Sequence, residues 1–500
     1  MKGKSIFLLI ILFKLIVINN SVVAEERFNW KIITTWPRNF PIFHDGVEKF
    51  VDDIRLMSKG RLNITIYAKE EFKKPNGEII PALGTFDAVS SGLVEMGHSA
   101  AYYWQKDIPG CQFMSSVPFG MTARGMNSWF YSGGGLELWR ELYEPYDVIP
   151  FPMGNTGIQM AGWFNKRITT ISDFRGLKMG IPGLGGLTLE KAGAKPVLLA
   201  PGAIFNALEK GEIDATEWVG PYHDKNLKLH KIAKYYYYPG WQEPGTTLEL
   251  IINKTAWESL PNDLKKMVED VSRSVNQYMY NEFEVKNIRA LKEIREYGKI
   301  EILPLPNHVL DELWSLSKKV MEEESEKSPQ FKKVYTAYKK FHEENNQWTR
   351  ISDDIYKNGR TNASIRLEQQ REFTRIGVSP LNNAKSNGSL VSLSGDITFK
   401  KGSSIINPNM REKIREIAKI LLKSNNQFII EGHTDSSGNE AYNMRLSYNR
   451  ALSVKAILIN TGIQPSRIKI KSYGESRPIA DNSNSEGRKL NRRVEIVTSE

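Results

Sequence analysis

A chain of 500 residues, 40% hydrophobic and 25% charged, is long enough for two or more buried cores, and with 38 Gly and 23 Pro it is neither low-complexity nor mainly disordered. Its formal charge of +11 invites a nucleic-acid reading, but the position of that charge decides. Lys2, Lys4 and Lys14 precede residue 25, and residues 390–500 hold 18 basic against 11 acidic side chains, which leaves +1 for residues 25–389.

In chain order, Lys2 and Lys4 precede an apolar run over 6–13, and Val22-Val23-Ala24 offers small residues ahead of Glu25 and Glu26. This reads as a secretory signal cleaved after Ala24. Lys14 interrupts the run and Asn19-Asn20 close it, short of the roughly 20 apolar residues that span a bilayer. The predicted mature protein is soluble, lies outside the cytoplasm and has no cysteine at its start for a lipid anchor. Cys111 is the only cysteine, so no intrachain disulfide can form, and it reads as a small buried residue.

Residues 30–36 and 62–66 read as strands. Between them Val47, Val51, Ile54 and Met57 recur at helical spacing, and Gly60 follows as a stop. This α/β alternation, expected to build parallel-sheet units, continues to about residue 341. From 260 to about 355 the pattern is helical almost throughout, with the three glutamates at 322–324 on a solvated face. Residues 377–388 have linker composition and mark a domain boundary. Beyond it come a strand at 396–399, a helix burying Ile414, Ile417, Ala418 and Leu421, and a strand at 427–431. A helix over about 439–460 and strands at 468–472 and 493–497 complete a small α/β unit.

Motifs for enzyme chemistry do not hold. Gly183-Leu184-Gly185-Gly186 lacks the third glycine of a dinucleotide fingerprint and the Lys-Ser/Thr of a phosphate loop. His342-Glu343 opens a zinc-protease string, but Asn346 stands where the second histidine is needed. No Gly-x-Ser-x-Gly elbow is present.

Several long segments carry a resemblance over about 310 residues. Thr34-Thr35-Trp36-Pro37, Phe86-Asp87-Ala88-Val89, Gly154-Asn155-Thr156-Gly157-Ile158-Gln159, Gly162-Trp163-Phe164, the run 214–221 (Asp-Ala-Thr-Glu-Trp-Val-Gly-Pro) and the run 235–241 (four tyrosines, Pro-Gly-Trp) resemble the DctP-type solute-binding proteins of TRAP transporters. Within that family they are most similar to the branch that binds 2-oxo or 2-hydroxy monocarboxylates with a cation. The resemblance implies two α/β lobes joined by strands and a long helix, closing on a ligand, and a membrane permease as partner. It puts a cation, sodium or calcium, at Gln159, Glu217, the Trp218 carbonyl and Glu243; such oxygen donors suit a hard ion. Asn155, Gln159, Glu217, Trp218 and Glu243 are then ligand-binding candidates, with Tyr102 and Tyr103 as aromatic walls.

One departure stands out. Where the family carries an arginine that clamps the ligand carboxylate, Leu177-Lys178-Met179-Gly180-Ile181-Pro182-Gly183 has Gly180, and a family acid is replaced by Ala203. The expectation is a different or larger ligand, or loss of tight carboxylate binding, with the cation carrying most of the charge complementarity.

Residues 390–500 resemble the OmpA-like peptidoglycan-binding domain through Glu431-Gly432-His433-Thr434-Asp435, Asn443, Leu446 to Ala451, Tyr473 to Pro478 and Asn491-Arg492-Arg493. The resemblance maps contacts with the diaminopimelate of the peptide stem onto Asp435 and Arg450, with Asn443 as a further contact. An acid beside an arginine matches the ammonium and carboxylate of that zwitterion. Arg492 and Arg493 read as structural.

The expected fold class is therefore α/β: a two-lobed periplasmic solute-binding protein with long C-terminal helices, then a small α/β OmpA-like domain. The expected divisions are a signal peptide over 1–24, the solute-binding domain over 25–345, a helical extension and linker over 346–389, and the tail domain over 390–500. The expected protein is a non-enzymatic, exported, peptidoglycan-associated receptor for a small organic acid, with no nucleic-acid partner. The alternative is a wall-associated structural or interaction protein with a degenerate cleft. Whether the long helix near 330–357 pairs protomers into a homodimer is left open by the sequence.

Overall fold

The computed structural model describes residues 26–199, 203–357, 359–360, 371–372, 389–399, 402–424 and 426–498. The expected signal peptide and the linker at 377–388 lie outside them. The chain divides into two compact units, Met1–Asn346 and Gln347–Glu500.

The first unit holds two sheets. Strands β1 (Phe28–Thr34), β2 (Leu62–Tyr67), β3 (Met96–Ser99), β4 (Val148–Asn155) and β10 (Thr247–Asn253) form one, in the order β2-β1-β3-β10-β4. β1 runs parallel to β2 and β3, whereas β10 is antiparallel to β3 and β4, so the sheet is mixed rather than purely parallel. The helix Phe43–Met57 buries Val47, Phe50 and Ile54 on one face. Its expected fourth apolar position, Met57, is half exposed at the helix end.

The second sheet contains β5 (Gly162–Phe164), β6 (Lys178–Gly180), β7 (Lys195–Val197), β8 (Ala215–Thr216), β9 (Tyr235–Tyr238) and β11 (Glu301–Pro304), in the order β11-β9-β5-β8-β6-β7. The chain passes between the lobes at β4 to β5 and returns at β9 to β10. A 36-residue helix, Asn262–Tyr297, buries Leu264, Val268, Val275 and Met279 in the core of the first lobe and ends at Gly298, whose φ of 71° suits glycine. The helical reading from 260 is corrected at β11, which adds parallel to β9; Pro304 and Pro306 stop a continuous helix there. Helices Asn307–Lys327 and Pro329–Thr349 follow.

The second unit contains β12 (Ser389–Ser394), β13 (Phe428–His433), β14 (Ile468–Gly474) and β15 (Arg493–Thr498), in the order β12-β15-β13-β14. The helices Pro408–Leu421 and Glu440–Asn460 belong to the same unit, and Ile414, Ile417, Ala418 and Leu421 are buried as expected. The strand expected at 396–399 is corrected. Gly395–Thr398 is a single helical turn closed by the Phe399 N–H on the Gly395 carbonyl (3.0 Å), and the strand lies earlier, antiparallel to β15. No helix among the described residues is long and apolar enough to cross a membrane.

Candidate solute and wall-binding sites

A narrow cleft of about 20 Å³ lies between the lobes of the first unit. The first lobe contributes Tyr102 and Tyr103, from the turn Ala101–Trp104 that follows β3. The second contributes residues at the carboxyl ends of its parallel strands: Gly180 ends β6, Thr216 to Trp218 end β8, and Val197 to Leu199 leave β7. Open α/β sheets commonly bind ligands at these strand ends. Among the described lining residues none is arginine or lysine.

Behind the cleft a polar cluster is assembled from two crossover segments. Gly240 permits it: a Cβ there would stand 2.2 Å from the Gln159 carbonyl oxygen, so only glycine lets the segments meet. The Gln159 amide nitrogen donates to Glu243 Oε2 (2.7 Å), Thr246 Oγ1 (3.0 Å) and Thr156 Oγ1 (3.2 Å). Next to it Gln242 donates to the Met160 carbonyl (2.8 Å) and reaches Glu217 Oε2 (3.5 Å). The Glu217 N–H donates to the Gly180 carbonyl (3.0 Å), tying the acid to β6.

Gln159, Glu217 and Glu243 are all buried, and Gln159 Oε1 has no hydrogen-bond partner among the described residues. Burial pushes the Glu217 carboxyl well above its ordinary range, with the charges of Glu243 and Asp224 adding to the rise. Burial likewise lifts Glu243 to about 7, against the pull of its bonds from Thr246 and Gln159. Two enclosed carboxylates and an orphaned amide oxygen form a donor set that fits a hard cation.

A pH dependence follows. Below about pH 4.5, the ordinary value of a glutamate, Glu243 is protonated in the folded and unfolded chains alike. As pH rises through about 7 the unfolded chain releases the proton more readily, so stability present in acid is lost. The cation-free melting temperature is expected to fall across this window, and the increase on adding calcium to grow across it. Thermal melts at a series of pH values check this; a calcium increment that does not change with pH contradicts it.

Among the residues expected from sequence, Tyr102, Tyr103, Gly180, Glu217 and Trp218 line the cleft, while Gln159 and Glu243 sit behind it in the cluster. Asn155 is not brought to the cleft lining. Its amide donates to the Gly245 carbonyl (3.3 Å) and Thr247 Oγ1 (3.1 Å) and accepts from the Gly157 N–H (2.9 Å), so it braces the crossover. Sequence reasoning missed Gln242, Thr246 and Asp224. Asp224 accepts from Trp163 (2.9 Å), Tyr236 (2.7 Å) and the N–H groups of Val219 (3.2 Å) and Gly220 (3.1 Å), fixing the loop after Trp218. The signal available was only its position three residues after the Gly-Pro that closes the run 214–221.

The second unit has a cleft of about 510 Å³ that is lined by Asp435, Asn443, Arg450 and Arg492. Asn439 caps the helix Glu440–Asn460 by accepting from the Tyr442 N–H (2.8 Å), and Asn443 and Arg450, two turns apart, share its buried face. Arg450 Nε donates to the Ser403 carbonyl (3.1 Å), and its guanidinium lies over Phe399 at 5.2 Å. Asn443 donates to the Asp435 carbonyl (3.2 Å) and to Glu475 (2.5 Å). Asp435 accepts from the Ser437 N–H (2.9 Å) and pairs with Arg492. Arg492, expected to be structural, is therefore part of the cleft, whereas Arg493 pairs with buried Glu495 on the sheet. That pairing also occupies the convergence of Glu431, His433 and Glu495 with a fixed positive charge.

Both units resemble known proteins. The model of the family described as bacterial extracellular solute-binding protein, family 7 (DctP) matches residues 33–328. The chain belongs to this family. The DctP part is 39% identical over 329 residues to the monocarboxylate 2-oxoacid-binding periplasmic protein of Nostoc sp., covering 66% of this chain and 88% of that protein. A TRAP periplasmic solute-binding protein of Pseudoalteromonas atlantica, crystallised with sodium and pyruvate, is 40% identical with a TM-score of 0.63, covering 67% of this chain and 99% of that one. Its counterpart from Colwellia psychrerythraea, with calcium and pyruvate, is 38% identical with a TM-score of 0.64, covering 67% and 100%. The OmpA family matches residues 398–492, and the peptidoglycan-associated lipoprotein of Pseudomonas putida is 36% identical over 98 residues, 20% of this chain and 59% of that protein. The molecule is thus a DctP solute-binding protein of the TRAP type fused to an OmpA domain, and a binding protein rather than an enzyme.

Proposed function

We propose that this DctP protein takes up a small 2-oxo or 2-hydroxy acid together with sodium or calcium, delivers it to a TRAP permease, and is held noncovalently to peptidoglycan after export to the periplasm. The observation that carries the ligand reading is the buried Gln159–Glu243 pair next to Glu217, with an orphaned amide oxygen and no basic side chain among the described residues that line the cleft. Gln159, Glu217, Glu243 and the Trp218 carbonyl would hold the cation. When bound, it supplies the positive charge that both the two acids and a ligand carboxylate need. Tyr102, Tyr103 and Trp218 form the walls around the solute and exclude water. The relatives that hold pyruvate with sodium or with calcium support this reading.

For the tail, Asp435 faces the ammonium and Arg450 the carboxylate of a diaminopimelate, and the surplus of basic residues suits a wall whose peptide stems carry carboxylates.

Calorimetry of the chelated mature protein with pyruvate and longer 2-oxo acids, in calcium, in sodium and in neither, tests the cleft. Binding is expected to weaken at least about tenfold without a cation, by the loss of one charge-assisted contact. Acid binding that is indifferent to chelation overturns the reading. The absence of binding under every condition favours a wall-associated element with an altered cleft, the alternative that Gly180 supports.

A further inference from the structure

The two tyrosines of the cleft stand on a short turn that is fastened from inside the first lobe. Ala101–Trp104 is a single helical turn after β3, and at its start the Cys111 thiol donates to the Ala101 carbonyl (2.9 Å). At its end the Trp104 indole N–H donates to Glu249 Oε1 (2.5 Å). The other carboxyl oxygen, Oε2, accepts from the hydroxyl of Tyr143 (2.9 Å), the last residue of the helix Gly135–Tyr143. Glu249 lies on β10 between Ser99 of β3 and Pro152 of β4 and is fully buried, and the rings of Trp104 and Tyr143 both pack on Phe86, at 5.5 and 5.0 Å between centroids. Burial lifts its carboxyl to about 7 although both bonds pull it down. A carboxyl in such a setting is costly, and here its two oxygens serve two donors from separate segments.

From Trp104 the contact passes to the cleft. Its ring meets Tyr103 edge-on at 6.2 Å, and Tyr103 meets Tyr102 edge-on at 4.8 Å. Resting on the reading that a small acid lies against these two tyrosines, we infer that Glu249 is a positioning residue for solute binding, which through Trp104 sets Tyr102 and Tyr103 before the solute arrives. Glu249 does not itself line the cleft, and its bond to Tyr143 steadies the carboxyl without touching the turn. A wall ordered in advance spares the solute the cost of immobilising two aromatic side chains.

The test sets the two bonds of Glu249 against each other in the full mature protein, with pyruvate and calcium. Trp104→Phe keeps an aromatic ring and removes the bond to the turn, and Tyr143→Phe removes the bond that does not touch it. Trp104→Phe is expected to weaken pyruvate binding at least about fivefold in calorimetry, the cost of ordering two side chains on binding instead of beforehand. Tyr143→Phe is expected to lower the melting temperature while affinity stays within about twofold. Glu249→Met should weaken binding as Trp104→Phe does, and Glu249→Gln should restore most of it, since its amide oxygen accepts from Trp104 while its NH2 donates to the Tyr143 oxygen. In protein labelled with 3-fluorotyrosine, the fluorine resonances of Tyr102 and Tyr103 should shift or broaden in Trp104→Phe and Glu249→Met and stay in place in Tyr143→Phe. Equal pyruvate affinity in Trp104→Phe and Tyr143→Phe, with the Tyr102 and Tyr103 resonances unmoved, makes Glu249 merely structural and overturns the inference. If pyruvate does not bind the unaltered protein, the acid reading fails for that acid, and the resonances alone decide the positioning role.

Discussion

Glu217→Gln is expected to remove cation-dependent solute binding while leaving the cation-free fold at least as stable as before. The substitution keeps shape and volume and replaces an ionisable carboxyl by a neutral amide. That carboxyl is buried, lies near Glu243 and Asp224 and has a 3.5 Å approach from Gln242. Without a cation it must either stay charged in a buried setting or hold a proton that the unfolded chain releases, each of which costs stability at neutral pH, and the amide avoids both. The cation loses a direct oxygen ligand. Since residues that merely orient metal ligands are worth about 10–100-fold in affinity, the loss is expected to reach at least about 100-fold. Calcium titration followed by tryptophan fluorescence reads the affinity, and thermal unfolding in chelator reads the stability. Undiminished calcium affinity would remove Glu217 from the site.

Asp435→Ala should release the tail from peptidoglycan. In the folded domain Asp435 pairs with Arg492 and lies in the same cleft as Arg450, so its loss leaves two guanidinium groups facing a zwitterionic stem without the acid that selects its ammonium. Removing one partner of an enclosed charge pair typically costs about 2–5 kcal/mol, which corresponds to at least about a 30-fold loss of affinity. Arg450→Ala should act similarly through the carboxylate. Co-sedimentation with purified sacculi measures the loss, and circular dichroism separates it from unfolding. Binding retained by the double variant refutes the assignment of the stem to this cleft.

The elements named one by one were legible because alternation and helical periodicity report burial: Val47 and Ile54 are buried in the first unit, though Val51 is half-buried and Met57 exposed, and Ile414, Ile417, Ala418 and Leu421 are buried in the second. Two of those that were not show why. Residues 389–394 have the Ser-rich composition of the preceding linker, and their strand is set by pairing with Arg493–Thr498 about a hundred positions away. The strand at Glu301–Pro304 is four residues long, too short for a period, and is likewise held by its neighbour β9. In the cleft, the long motifs led to Gln159, Glu217 and Trp218, and the missing arginine at Gly180 was visible directly. The approach of the Thr216 hydroxyl, which a Cβ at 180 would meet at 2.8 Å, was not. Nor was the bracing role of Asn155, which depends on Gly245 and Thr247 in the returning strand segment. Arg492 lies between the helix Ser485–Asn491 and β15, and Arg493 is the first residue of that strand; only the fold tells which one reaches Asp435.

Two binding functions in one chain can be read in a single experiment. Purified sacculi are pelleted with the mature protein in calcium and a radiolabelled 2-oxo acid, alongside Glu217→Gln and the Asp435→Ala, Arg450→Ala pair. The expected result is label and protein together in the pellet, loss of label alone with Glu217→Gln, and loss of both with the tail pair. Protein in the pellet with all label left in the supernatant, for the unaltered chain, would contradict a solute receptor carried on the wall.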